Sequence, residues 1–61
     1  MVDAMTELLK TERYWVRRRD GANAIVCSFA KGLVLYRRHD DGELLRLRAD
    51  AFLREYEVLH G

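Results

Sequence analysis

The spacing of apolar and polar positions changes along the chain, and each change marks an element. Val2, Met5, Leu8 and Leu9 recur at helical spacing, and Asp3 is placed to cap the free amides of a first turn, which predicts a short amphipathic helix over 3–12. From Tyr14 the texture becomes strand-like. Tyr14, Trp15 and Val16 favour extended backbone, and the Asp20-Gly21 step after the arginine run is turn chemistry, so a first strand is expected over 13–19. Ile25 to Ala30 is β-branched and aromatic, Lys31-Gly32 can supply a positive φ, and Leu33 to Arg38 is strand-like again. Asp40-Asp41-Gly42 is a second hairpin turn, from which Glu43 to Arg48 returns. Ala49 to Tyr56 then sets Phe52, Leu53 and Tyr56 at helical spacing behind Asp50, predicting a helix or 3₁₀ turn before a last short strand over 57–59.

Strand faces follow from alternation. With Asp41-Gly42 as a two-residue turn, Asp40 pairs with Glu43, and Val34, Tyr36, Arg38, Leu45, Leu47 and Ala49 share one face. The opposite face carries Leu33, Leu35, Arg37, His39, Leu44, Arg46 and Arg48, with Ile25, Cys27 and Phe29 as candidates to join it. A one-residue change in this register would scramble the division. The core expected in either register is Val16, Val26, Val34, Tyr36, Leu47, Phe52, Tyr56 and Val58.

At the level of this pattern the run from Tyr14 to Leu59 resembles the SH3-like superfold, and more loosely the compact SH3-like proteins of phages and other mobile elements. The resemblance rests on the strand-hairpin-strand-hairpin spacing and on the closing AFLREYEVL, in which Phe52 and Tyr56 would plug the barrel end. It implies a mainly β, small α+β protein: a five-stranded SH3-like barrel over 13–61 with a helical turn before its last strand and an added N-terminal helix over 1–12. It also implies a binding role such as inhibition of a host protein. The architecture serves peptide, nucleic-acid and subunit binding alike, so the partner must come from the residues.

Composition narrows the classes. A chain of 61 residues is one domain, and at this size only about 60% of the unfolded surface is buried and the core supplies only a few kcal/mol, so self-association or a partner is expected. The single Cys27 cannot close an internal disulfide and reads as a small buried apolar side chain rather than a reactive thiol. Cys27, His39 and His60 have no metal-ligand spacing, and no cofactor is expected. No apolar run approaches the roughly 20 residues of a membrane span, and no targeting segment is visible at the start, which points to the cytoplasm. The net charge of +1 hides an uneven order: −2 over 1–12, +5 over 13–48 and −2 over 49–61.

The basic middle is the candidate site. Arg17, Arg18 and Arg19 on the first strand, with Arg37, Arg38, Arg46 and Arg48 on the later hairpin, form an arginine set that offers bidentate forks to carboxylates or phosphates. Arg17, Arg19, Arg37, Arg46 and Arg48 are the candidates for partner contact. Trp15 is a candidate aromatic anchor, and Leu33, Leu35 and His39 share the expected basic face. This predicts a non-enzymatic module that contacts a protein partner or a second copy of itself; nucleic acid, attracted by the same arginines and stacked on Trp15, Tyr14 or Phe29, is the alternative. A small-molecule substrate is not expected. His39 beside Asp40 and Asp41 sits in a turn, and no glycine-rich phosphate loop, carboxylate pair or oxyanion motif accompanies it. The charge order raises one more expectation, that the acidic N-terminal helix folds over the basic sheet and masks it.

Overall fold

The computed structural model describes residues 4–59. Helix α1 (Ala4–Thr11) leads into strands β1 (Tyr14–Arg17), β2 (Asn23–Ala30), β3 (Leu33–Arg38) and β4 (Leu44–Arg48), followed by helix α2 (Ala49–Glu55) and strand β5 (Tyr56–Val58). The strands form one antiparallel sheet in the order β4-β3-β2-β1-β5. The mainly β, small α+β class is therefore present, whereas the expected closed barrel is not: β4 and β5 are the two edges of an open sheet. Two features oppose closure. The closing strand has only three residues, and α2, which joins β4 to β5 in the chain, lays Phe52 on the covered face against Trp15, Tyr36 and Tyr56. Asp3, His60 and the side chain of Met5 lie outside the described residues.

The turns explain the strand boundaries. Between β2 and β3, Lys31 (φ 54°) and Gly32 (φ 76°) are both left-handed, the backbone of a two-residue hairpin whose twist matches that of the strands. After β1 the strand stops at Arg17 rather than running to 19. The Arg17 guanidinium donates to both Asp20 oxygens at 3.0 and 2.8 Å, and Gly21 N–H donates to the Arg17 carbonyl, so Arg18 and Arg19 belong to a turn. Between β3 and β4 the expected two-residue turn is replaced by a four-residue loop. Arg38 N–H donates to the Glu43 carbonyl at 3.0 Å and Gly42 N–H to the Arg38 carbonyl at 2.8 Å, with Asp41 Oδ1 accepting the Glu43 N–H. Val34 consequently faces Leu47 and Tyr36 faces Leu45, a slip of two residues from the expected rungs. Because side chains alternate with a period of two, both faces keep their expected residues.

One face of the sheet is covered by the helices and holds the core: Trp15, Ala24, Val26, Val34, Tyr36 and Tyr56 from the strands, Leu9 from α1 and Phe52 from α2. Phe52 stacks on Tyr56 with centroids 4.5 Å apart and meets Trp15 edge-on at 5.3 Å, while Tyr36 lies 5.1 Å from Phe52 and 5.4 Å from Tyr56. Offset and edge-on contacts of this kind add about 0.5–1.5 kcal/mol each beyond burial. The Trp15 indole N–H donates to the Glu12 carbonyl at 2.9 Å, which satisfies its one polar group. Burial, and then the neighbouring Tyr56, push the Tyr36 phenol up to about 12. Leu47 and Val58 are half-buried at the core's margin, but Val16, expected inside, is half-buried on the opposite face, beside Asn23 and Glu57. The masking helix is also corrected. Leu8 and Leu9 pack α1 onto the core, on the same side as α2, and leave the other face of the sheet bare.

Candidate binding face

The bare face can be assembled rung by rung. Leu44 pairs with Arg37, Arg37 with Ile25 and Ile25 with Tyr14, and Leu59 N–H donates to the Tyr14 carbonyl at 3.0 Å, so one row crosses the whole sheet. Beside it run Arg46 with Leu35 and Ser28, and then Arg48 with Leu33 and Ala30. On the other flank lie His39, Asn23, Val16 and Glu57. Among the described residues, the large hydrophobic side chains that are exposed are Tyr14 (59%), Leu44 (50%), Leu59 (43%) and Leu33 (41%), and all of them stand on this face. A cleft of about 200 Å³ opens among Tyr14, Asn23, Ile25, His39 and Leu59.

The charges on the face are mostly unpaired. Among the described residues Arg37 and Arg46 make no ion pair, and Arg48 lies 3.7 Å from Asp50 with both side chains largely in solvent, where such a contact is worth little. Glu57 is the one carboxylate in these rows. Arginines alternate with leucines on adjacent strands: Arg37 sits across from Leu44, Arg46 from Leu35 and Arg48 from Leu33. Guanidinium planes are weakly hydrated and lie readily on apolar surface, so the alternation makes a surface that is cationic and easily dehydrated at once.

Of the residues expected to bind, the structure brings Leu33, Leu35, Arg37, His39, Arg46 and Arg48 together on the bare face. Trp15 is corrected outright, since it is fully buried against Phe52 and cannot anchor a partner. Arg17, across from Tyr56, points to the covered side and is bound to Asp20, which raises its pKa further. Arg19 is exposed in the turn after β1, outside the rows. Arg18 and Arg38 also leave the set: Arg18 donates to the Leu53 carbonyl at 3.4 Å, and Arg38 bonds Asp41 at 2.8 Å and Glu43 at 2.9 Å. The Glu43 N–H, and then the Arg38 guanidinium, hold the Asp41 carboxyl below the usual range. Phe29 is half-buried against the core, while Cys27, expected inside, is exposed at a β-bulge between Val26 and Ser28.

Tyr14, Ile25 and Leu59 complete the face although sequence reasoning did not select them as a group. Their signal is the period-two partnership with Trp15, Ala24 and Val58 on the covered side, and it becomes readable only once β5 is known to pair with β1. No family model, curated protein or solved structure matches the chain. No helix among the described residues is long and apolar enough to cross a membrane.

Proposed function

We propose that this protein is a small non-catalytic binding module that docks on an acidic protein surface through the bare face of its sheet. The observation that carries this reading is the coincidence, on the one face no helix covers, of the exposed large hydrophobics with Arg37, Arg46 and Arg48. Exposed apolar patches with a polar setting mark interfaces, and unpaired arginines select a partner rich in carboxylates. The order of elements, a four-stranded meander, one helix and a fifth strand returning to β1, supports an SH3-like reading of the topology, and inhibition of a host protein is the kind of role that the resemblance implies. A second copy is the weaker occupant, because two such faces oppose arginines with only Glu57 from each to offset them. Nucleic acid loses support from the burial of Trp15 and from the dispersal of Arg17, Arg18 and Arg38 into internal contacts.

The test is a titration of isotopically labelled protein in low salt with an acidic peptide, a single-stranded oligonucleotide and a duplex of matched charge. The expected result is that the peptide shifts the amide signals of Ile25, Arg37 and Arg46 and binds more tightly than either nucleic acid. Tighter binding of an oligonucleotide, with log affinity falling linearly in log salt, would overturn the protein reading. Sedimentation showing a stable dimer that buries Tyr14 and Leu44 would replace the partner by a second copy.

A further inference from the structure

The mode of docking can be read from the backbone of β4. Its bonded rungs to β3 are bracketed by Arg38 N–H to the Glu43 carbonyl at one end and Ala49 N–H to the Gly32 carbonyl at the other. Bonded and non-bonded rungs alternate in an antiparallel ladder, so Leu45 and Leu47 turn their amides toward β3 while Leu44 and Arg46 turn theirs outward. Among the described residues no strand pairs with the outward side. Leu45 and Leu47 are half-buried at that rim on the covered side, and Arg46 and Arg48 stand along it on the bare side.

We infer that the free edge of β4 takes up an extended acidic segment of the partner as a sixth strand. The inference rests on the docking role of the bare face and specifies how the partner engages it. Backbone bonds to Leu44 and Arg46 supply the pairing, and the pattern of side chains supplies the choice of sequence. An incoming strand places alternate residues beside Leu45 and Leu47, where apolar side chains extend the core, and the intervening ones beside Arg46 and Arg48, where carboxylates are favoured. The same arginines guard against self-pairing. β4 reads Leu-Leu-Arg-Leu-Arg and contains no carboxylate, so no β4-to-β4 register gives either arginine an opposite charge, and two-fold pairing about Arg46 sets arginine against arginine. An edge that repels its own copy and lacks only negative charge is matched to a strand of alternating acidic and apolar residues.

Amide hydrogen exchange of the full chain tests this with a short peptide of alternating valine and glutamate, its valine–lysine counterpart, and a valine–glutamate peptide N-methylated at alternate residues on its bonding edge. In the free protein Leu44 and Arg46 amides should exchange fast and Leu45 and Leu47 slowly. With the acidic peptide at about ten times its Kd, exchange at Leu44 and Arg46 should slow by about tenfold, while the lysine and N-methylated peptides leave it unchanged. Arg46→Glu should weaken the acidic peptide by at least about tenfold and admit the lysine peptide. If the acidic peptide shifts Tyr14 and Ile25 but leaves the Leu44 and Arg46 amides fast, and the methylated peptide binds equally, strand addition is overturned and docking on the face stands. If the acidic peptide perturbs no residue of the bare face or the β4 edge, both are overturned.

Discussion

The two faces of this sheet are made from neighbouring residues and have opposite fates. Trp15 is fully buried and Tyr14 is 59% exposed; Ala24 is buried and Ile25 half-buried; Tyr36 is buried and Arg37 exposed. Apolar content does not separate them, because the bare face carries Tyr14, Val16, Ile25, Leu33, Leu35, Leu44 and Leu59. What separates them is coverage. Both helices lie on one side, and Phe52 from α2 bridges Trp15, Tyr36 and Tyr56 into a closed aromatic cluster for which the other side has no counterpart. A half-buried row with unpaired arginines set into it is the surface left when a small domain has no further element to lay over its second face.

Truncation on each face should break or sharpen that contrast. Phe52→Ala removes the ring shared by three aromatic contacts and should cost about 3–5 kcal/mol, enough to abolish cooperative folding of so small a domain, as read from thermal melts by circular dichroism. Retention of a cooperative melt near the wild-type midpoint would show that the covered face is not the core. Overpacking gives the next effect: Ala24→Leu, 1% exposed in the wild type, should cost about 1–3 kcal/mol, whereas Ile25→Leu one residue later should cost less than about 1 kcal/mol. Equal costs would erase the distinction between the faces. Tyr14→Ser and Leu44→Ser should each change stability by no more than about 0.5 kcal/mol while weakening the acidic peptide, so denaturant midpoints and binding isotherms should part company.

The smallest effect is expected from acid. The Arg17 guanidinium, and then the Ala22 N–H, hold the Asp20 carboxyl down at about 2, against the usual value near 3.9. A carboxyl depressed in the folded state favours folding above its unfolded pKa and loses that contribution as pH falls through the folded one. Melting midpoints of wild type and Asp20→Asn should therefore differ slightly above about pH 4, draw together as pH falls toward about 2 and converge only below it. Exposure of Asp20 keeps the difference small.

The meander was legible because its signals are local. Lys31-Gly32 and Asp41-Gly42 mark their turns by chemistry, and the faces of β3 and β4 survived a mistaken loop length because the slip was even. Features that depend on distant partners were not legible. Tyr14, Trp15 and Val16 are all strand formers, and only pairing with Val58 and Ala24 decides that Trp15 is the one that points inward. The bulge was hidden for another reason. Simple alternation groups Ile25, Cys27 and Phe29, but the extra residue at Cys27 resets the phase, so that Phe29 joins Ala24 and Val26 on the covered side and Cys27 faces solvent. Barrel closure failed similarly, since nothing local announces that the last strand is only three residues long and pairs with β1 alone.

The pairing of β5 with β1 also governs how the domain is made. Every other strand pair joins neighbours in the chain, but Trp15 of β1 meets Val58 of β5, the last strand, and Phe52 and Tyr56 are made only shortly before Val58. Before those aromatics are in place, the core face of the meander is covered only by α1, through Leu8 and Leu9. For that interval the nascent sheet exposes much of its apolar core face as well as its bare one, and Arg37, Arg46 and Arg48 set charge among the exposed leucines, which opposes aggregation.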